Sequence, residues 1–154
     1  MSKLHGFLTR KRVVPIILWV ILALTVATPV LANSSSWSFL AFYDRYYISG
    51  KSNGVFHDMT AGNMTISGSL TTTMISGNVL PVQAFTFEVW KVGTLWDTKV
   101  CTTGSFNPPR LVGDPAMPVS WNCGAQSAGK YYLIIYRAAA DNREVKGSGT
   151  ISTQ

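Results

Sequence analysis

The chain has 154 residues, of which 47% are hydrophobic and 13% charged, and its formal net charge is +6. Four of the 13 Lys and Arg residues lie before Ala32 and all seven acids lie after it, which leaves nine basic residues against seven acids, a net charge of +2. The excess positive charge therefore belongs to the N-terminal segment, so it is not evidence for a nucleic-acid partner, and we expect none.

The N-terminal segment has the layout of a secretory signal. A cluster of basic residues precedes about 20 uncharged residues that end at Ala32. A basic start, an apolar stretch and a small-residue exit are typical of signal peptides, so we predict cleavage between Ala32 and Asn33. An uncleaved anchor is the alternative, because about 20 apolar residues can span a bilayer. In both cases residues 1–32 form the signal, and a single domain, 33–154, ends up outside the cytoplasm, either secreted or tethered to the membrane.

The exported part contains two cysteines, Cys101 and Cys123. Outside the cytoplasm such a pair is most simply a disulfide. Two free thiols or half of a metal site are the alternatives. Zinc normally takes four ligands, and His57 is the single histidine after Ala32, so we expect no metal ion and no cofactor.

The first half of the exported part predicts short strands. Residues 37–43 and 46–48 are aromatic and strand-like, and residues 50–54 have turn composition. Residues 64–71 alternate apolar or glycine positions with Ser and Thr, which indicates a strand with one wet face. The same residue types return near the C-terminus, where Gly147 and Gly149 indicate a bulge or close packing within a final strand, 145–151.

Residues 82–102 predict a β-hairpin with Gly93 and Thr94 at a two-residue turn, because a type II′ turn prefers Gly first. That turn fixes a register in which Lys91 faces Trp96. The core side of the hairpin then carries the following residues: Phe85, Phe87, Val89, Trp96 and Val100.

The outer side of the same hairpin is predicted to carry Trp90 and Cys101, with Glu88 opposite Lys99 as an exposed ion pair. A disulfide on an outer face is awkward unless a second layer, a loop or a bulge covers it. Residues 104–118 follow as a long proline-rich connection whose ends Cys101 and Cys123 would pin. This connection is predicted to be either a stapled crossover or a functional loop.

These elements predict an all-β domain, a two-layer antiparallel β-sandwich of seven or eight short strands with one disulfide. Residues 128–136, Ala-Gly-Lys-Tyr-Tyr-Leu-Ile-Ile-Tyr, loosely resemble the late strand of immunoglobulin-like sandwiches over about ten residues. The cysteine spacing departs from that family, since Cys101 and Cys123 are close in sequence and Trp121 stands just before the second. The domain is therefore immunoglobulin-like in the loose sense alone, and no family function is implied.

Catalytic constellations are weak in this sequence. A serine-histidine-acid triad requires an oriented histidine, and Asp58 would point to the opposite strand face from His57. Glu88 and Asp97 lie near each other on the hairpin and could form a carboxylate pair of the glycosidase type. We expect no enzymatic activity, and we expect His57 to be a solvated loop residue.

Binding is the function that the aromatic residues favour. Trp90 on the predicted wet face is the best single candidate, whereas Trp37, Trp96 and Trp121 are expected in the core. We predict an exported, non-enzymatic β-sandwich that binds a protein or glycan at the cell surface. A secreted toxin-like or membrane-active protein, and a small hydrolase using the carboxylates or His57, remain the alternatives.

Overall fold

The structure is a computed structural model that describes residues 32–44 and 46–154. Residues 1–31 lie outside the described part, so the signal segment and its cleavage after Ala32 stay predictions. Within the described ranges there are nine strands and no helix. They are β1 (Asn33–Ala41), β2 (Tyr47–Ser49), β3 (His57–Met59), β4 (Gly62–Ile75), β5 (Phe85–Lys91), β6 (Thr98–Phe106), β7 (Met117–Gln126), β8 (Gly129–Arg137) and β9 (Arg143–Thr153).

The strands form two antiparallel sheets that pack face to face, so the predicted β-sandwich is confirmed. The first sheet has the order β1-β9-β4-β7, and the second has the order β2-β8-β5-β6, with β3 pairing the same strand, β8, as β2 does. Because the chain crosses between the sheets after every strand except β2 and β5, the topology is that of a jelly roll in which β2 and β3 together take one strand position. The immunoglobulin likeness does not extend to the strand order.

The core follows from the period-two pattern of the strands. Met64, Ile66 and Leu70 of β4 are fully buried, as are Phe85 and Phe87 of β5. Their alternate neighbours point to solvent or to the sheet surface, as a half-buried strand requires.

Trp37 lies in the core as predicted, and glycines make room for it. A Cβ atom at Gly149 would lie 1.9 Å from the Ser67 carbonyl oxygen and 2.7 Å from Trp37 Cζ2, and one at Gly147 would lie 2.1 Å from Phe39 Cε1. The final strand therefore carries glycines because the aromatic rings of β1 pack directly on its backbone. This confirms close packing as the role of these two glycines.

The outer face of the first sheet is rich in hydroxyl groups. One row across it runs from Ser36 through Thr150 and Ser67 to Ser120. The Ser67 and Thr150 hydroxyls lie 3.0 Å apart and hydrogen-bond to each other. The wet Ser and Thr face predicted for residues 64–71 is confirmed by this arrangement.

The register predicted for the β5–β6 hairpin is wrong. Lys91 faces Thr98, so the connection has six residues, 92–97, rather than a two-residue turn. A Cβ atom at Gly93 would lie 2.0 Å from the Trp96 carbonyl oxygen, and the Gly93 N–H donates to Asp97 Oδ1 at 3.2 Å. Gly93 is thus required by a close backbone approach, and the loop is closed by a side chain.

Two register shifts in β5–β6 change which residues face inward. Cys101 comes to lie opposite Val89 and packs against the core, where it forms the predicted disulfide with Cys123 of β7. The bulge resolves the conflict of a disulfide on an outer face. Trp96, expected in the core, is instead 84% exposed at the loop tip, and Trp121 is 39% exposed.

The proline-rich connection is shorter than predicted and is fastened to the sandwich. It spans residues 107–116, because β6 and β7 extend into the predicted loop. Thr72 Oγ1 donates to the Pro109 carbonyl at 2.6 Å, and Arg143 Nε donates to the Arg110 carbonyl at 3.0 Å. These contacts and the disulfide fit the prediction of a connection between strands that the disulfide holds in place. A function of this loop stays a prediction.

A buried ionic network closes the end of the sandwich between β8 and β9. Arg137, Asp141 and Arg143 have fully buried side chains, and Asp141 Oδ1 accepts from Arg137 Nη1 while Asp141 Oδ2 lies 3.4 Å from Arg143 Nη1. Arg143 Nη1 also donates to the Leu80 carbonyl at 2.8 Å. Burial lowers the pKa of Arg137, and the charge of Asp141 opposes that effect. Two buried cations therefore depend on one carboxylate.

Candidate functional site: an aromatic cleft on the second sheet

The outer face of the second sheet is built from alternate residues of two central strands. On β5 these are Glu88 and Trp90, and on β8 they are Tyr132, Ile134 and Tyr136. Trp90 lies opposite Tyr132 and Glu88 lies opposite Ile134. The pairing of β5 with β8 therefore places a carboxylate and an indole beside a row of aromatic and aliphatic side chains.

This face contains an open cleft of about 620 Å³, which we call the aromatic cleft. Its lining residues are Tyr46, Tyr47, Glu88, Trp90, Ile134, Tyr136 and Arg137. The volume lies within the range of small-molecule sites, about 300–1,000 Å³. Tyr46 and Tyr47 are 58% and 53% exposed, so the cleft presents rings to solvent.

Glu88 is held in place by two donors. Trp90 Nε1 donates to Glu88 Oε2 at 2.9 Å, and Lys99 Nζ donates to Glu88 Oε1 at 3.0 Å. The ion pair predicted between Glu88 and Lys99 is therefore present, although the register makes Thr102, not Lys99, the residue directly opposite Glu88. Trp90 is fixed at the same time, because its indole is hydrogen-bonded at one edge and stacked on Tyr132.

Tyr132 packs against Trp90 on the outer face of the sheet. Its ring lies 6.4 Å from that of Trp90 with an interplanar angle of 14°, and its hydroxyl donates to Asp97 Oδ2 at 3.0 Å. Burial, followed by the hydrogen bond to Asp97, raises the pKa of Tyr132 to about 12. The phenol is therefore neutral under physiological conditions and acts as a fixed hydrogen-bond donor.

Asp97 fastens the loop between β5 and β6 rather than facing the cleft. Lys51 Nζ donates to Asp97 Oδ2 at 2.6 Å. This hydrogen bond, with the one from the Gly93 N–H, holds the pKa of Asp97 below its ordinary value. A general acid of the glycosidase type needs a raised pKa, so the arrangement disfavours Asp97 as the acid partner of Glu88.

His57 is not the solvated loop residue that we expected. It begins β3, is 1% exposed, and its Nδ1 atom lies 2.8 Å from Ser35 Oγ. Asp58 is exposed on the other face of the strand, so it does not orient the imidazole. The histidine is thus a buried packing residue, and burial lowers its pKa.

The burial of His57 makes the stability of the fold depend on pH. In the unfolded chain its pKa is near the ordinary 6.5, and in the folded protein it is lower. As the pH falls below about 6.5, the unfolded state takes up the proton first, so the free energy of unfolding decreases until the pH passes the lowered folded value. Denaturant titrations at pH 7 and pH 5 should show this loss in the wild type and a smaller one in His57→Gln. An equal loss in both proteins would exclude His57 as the cause.

The sequence placed Trp90 and Glu88 on one outer face but did not indicate the other lining residues of the cleft. Tyr46 and Tyr47 were predicted as strand residues with no face assigned to them, and residues 128–136 were interpreted only through their loose resemblance to an immunoglobulin strand. The alternation of Tyr132, Ile134 and Tyr136 was a usable signal for an aromatic outer row. The contribution of β2 could not be found, because it depends on which strand pairs with β8.

Two further surface features lie near the cleft. A second open cleft, of about 530 Å³, shares Tyr46 and Tyr47 and is also lined by Phe42, Tyr43 and Asp44. At the tip of the 92–97 loop, Leu95 and Trp96 are each 84% exposed. Across residues 32–44 and 46–154, no His, Cys, Asp and Glu cluster is placed to hold a metal ion, and no helix is long and apolar enough to cross a membrane.

Comparison with known proteins does not assign a family. No protein-family model matches the chain, and no curated protein matches it significantly. Among solved structures, the chain is similar to the Yersinia pseudotuberculosis-derived mitogen (YPM), with 12% sequence identity and a TM-score of 0.38 over 78% of this chain and 86% of that chain. A likeness this weak carries no argument about function.

Proposed function

We propose that this protein is a non-enzymatic binding protein of the cell exterior that holds a glycan in the aromatic cleft. The observation that carries the proposal is the combination of exposed rings with a positioned carboxylate, Glu88, in one open cleft. Aromatic rings pack on the apolar faces of sugar rings, and polar groups between them bind hydroxyls.

The charge of the cleft favours a glycan over a protein partner. Protein interfaces have cores depleted of charged residues, and a standard one covers about 800 Å² per partner. Here the Glu88–Lys99 ion pair lies beside Trp90 on the outer face, between β5 and the edge strand β6. A glycan supplies hydroxyls that can hydrogen-bond to such a pair, whereas an apolar protein surface would have to desolvate it without compensation.

The disulfide supports a site of action outside the cytoplasm. Disulfides persist in oxidising compartments, and Cys101–Cys123 joins the two sheets of a small all-β domain. Together with the predicted signal in residues 1–32, this supports either a secreted protein or one tethered at the membrane with residues 33–154 outside.

A membrane-active function is the second candidate, and the exposed tip of the 92–97 loop is the observation that favours it. Leu95 and Trp96 project from the fold, and tryptophan is enriched at lipid interfaces. The nearby cation Lys51 is already paired with Asp97, which weakens attraction to anionic lipid. Vesicle binding or leakage that depends on Trp96 would support this candidate over the first.

Trp90→Ala should lower retention on a bound polysaccharide at least tenfold, which corresponds to about 1.4 kcal/mol. The substitution removes the ring beside Glu88 together with its hydrogen bond. The measurement is affinity electrophoresis of the purified protein on a panel of soluble cell-wall polysaccharides, with circular dichroism and thermal unfolding to establish that the variant folds.

Two further variants make this experiment decisive. Tyr47→Ala should also lose binding, and because the Tyr47 side chain is 53% exposed it should do so without unfolding the protein. Trp96→Ala is the matched control, since Trp96 does not line the cleft, and it should bind like the wild type. The cleft is refuted as the site if Trp90→Ala and Tyr47→Ala bind normally, and the loop tip replaces it if Trp96→Ala alone loses binding.

A further inference from the structure

Glu88 retains hydrogen-bonding capacity that the fold does not use. Its side chain is 13% exposed, and the described donors are one to each oxygen, Trp90 Nε1 at 2.9 Å and Lys99 Nζ at 3.0 Å. A carboxylate has about four acceptor positions, so roughly one on each oxygen is not used by these donors, and Glu88 lines the cleft. Because Trp90 and Lys99 fix the carboxylate plane, these two positions have a set orientation.

The charged groups around the cleft do not provide a site for an anion. Arg137 lines the cleft, but its guanidinium is fully buried and bonds to Asp141 and to the carbonyls of Phe42 and Arg143. Lys99 is already paired with Glu88. Within the described residues the cleft therefore has a carboxylate and no lining cation that is free to meet an acidic ligand.

An acidic sugar would be penalised at this position. Its carboxylate or sulfate would lie near that of Glu88, and like charges in a partly buried site repel and lose hydration. Lys99 offsets this repulsion only in part, because its side chain is 46% exposed and screened by water whereas that of Glu88 is 13% exposed. A neutral sugar meets no such penalty. Two adjacent hydroxyls can donate one hydrogen bond to each Glu88 oxygen, and hydrogen bonds to a charged acceptor are the stronger kind.

We infer that the aromatic cleft selects uncharged sugars, with Glu88 accepting hydrogen bonds from a pair of neighbouring hydroxyls and repelling acidic glycans. This inference rests on the proposed glycan-binding function and names its ligand class. The Trp90 ring contributes packing on the sugar face, and Lys99 acts on the ligand through Glu88 as a positioning residue.

The test compares one polysaccharide in two charge states. The probe is the best-retained neutral polysaccharide of the panel, and beside it the same polymer with its primary hydroxyls oxidised to carboxylates. The wild type should bind the neutral polymer roughly tenfold or more tightly than the oxidised one. Glu88→Gln should weaken neutral binding by roughly tenfold and reduce the discrimination, because it keeps the side-chain shape but loses the charge.

Two control variants separate a binding role from a structural one. Glu144→Gln makes the same change on the first sheet, where the Glu144 carboxylate contacts Thr73, and should bind like the wild type. Lys99→Gln removes one of the two donors that hold Glu88, so it should weaken binding of the neutral polymer but keep the preference for it, since the Glu88 charge remains. A loss of affinity in Glu88→Gln without any change in discrimination would assign Glu88 a structural role and overturn the inference.

The outcomes also distinguish this inference from the function on which it rests. If the wild type binds the oxidised polymer as tightly as the neutral one, or more tightly, the selectivity is overturned while glycan binding stands. If Lys99→Gln also abolishes binding of the oxidised polymer, the cleft contains an anion site. Absence of binding to every neutral and acidic polysaccharide would overturn the proposed function itself, and the inference with it.

Discussion

Asp141→Asn should reduce the free energy of unfolding by about 3–5 kcal/mol, the usual cost of removing one partner from a buried ion pair. The substitution leaves the side-chain size almost unchanged but removes the single carboxylate between Arg137 and Arg143, whose side chains are fully buried. Both guanidinium groups would then keep their backbone carbonyl acceptors but lose the one carboxylate bonded to them, and Asp44 would act on Arg137 only through its charge. Because a small domain is stable by about 5–15 kcal/mol, the substitution should remove a large fraction of the total stability.

Denaturant titration at pH 7 measures this effect, with Asp58→Asn as the matched control. Asp58 is exposed on β3, so the same substitution there should change the free energy of unfolding by no more than about 0.5 kcal/mol. A change below about 1 kcal/mol in Asp141→Asn would mean that the network is not holding the loops around it. The loops that contain Leu80 and Arg110, whose carbonyls accept hydrogen bonds from Arg143, would then be held in place by other interactions.

Replacing both Cys101 and Cys123 by Ser should cost about 3 kcal/mol, the chain-entropy value for cysteines separated by 22 residues. The bond joins β6 of the second sheet to β7 of the first, so it constrains the connection 107–116 and the distance between sheets. Both cysteines also pack against the hydrophobic core, so two hydroxyls in their place should add to the loss rather than reduce it.

Reduction of the wild type provides an independent version of the same experiment. Thermal unfolding with and without a thiol reductant should show a large downward shift in Tm for the wild type and none for the double variant. A double variant as stable as the oxidised wild type would show that the sheets are held together by packing alone.

The sandwich, the core strands and the disulfide were predictable because they depend on local pattern. Alternation along residues 64–71 fixes which side of β4 is buried. Two cysteines in a predicted exported domain indicate a disulfide between them. The jelly-roll order was not predictable, because it depends on which strands pair across the chain, and single-strand patterns do not encode that choice.

The hairpin shows where local pattern fails. Gly93 has the residue type of a two-residue turn, but Asp97 closes a longer loop by accepting hydrogen bonds from the Gly93 N–H and from Lys51. Lys51 belongs to a different turn, so this interaction is invisible to local pattern. Two bulges within β5–β6 turn Cys101 inward, and the longer loop leaves Trp96 at its tip, which reverses the positions predicted for both residues.

Half of the candidate site was within reach of the sequence. Trp90 and the Glu88–Lys99 pair follow from the outer face of β5 whichever register holds. The tyrosines of β2 and β8 join them only because β8 lies between β5 and β2, a consequence of the topology. Burial of His57 was similarly out of reach, since it arises from the packing of the short β3 strand beside β1.

Chemical-shift mapping by NMR tests the central claim, that the aromatic cleft is the glycan site. Titrating the labelled protein with the neutral polysaccharide fragment that it retains best should shift the Trp90 indole N–H, the Ile134 methyls and the Tyr47 and Tyr136 rings. The hydroxyl-rich outer face of the first sheet should stay unchanged. Shifts confined to that face or to the Leu95–Trp96 tip, with the cleft signals unmoved, would contradict the account.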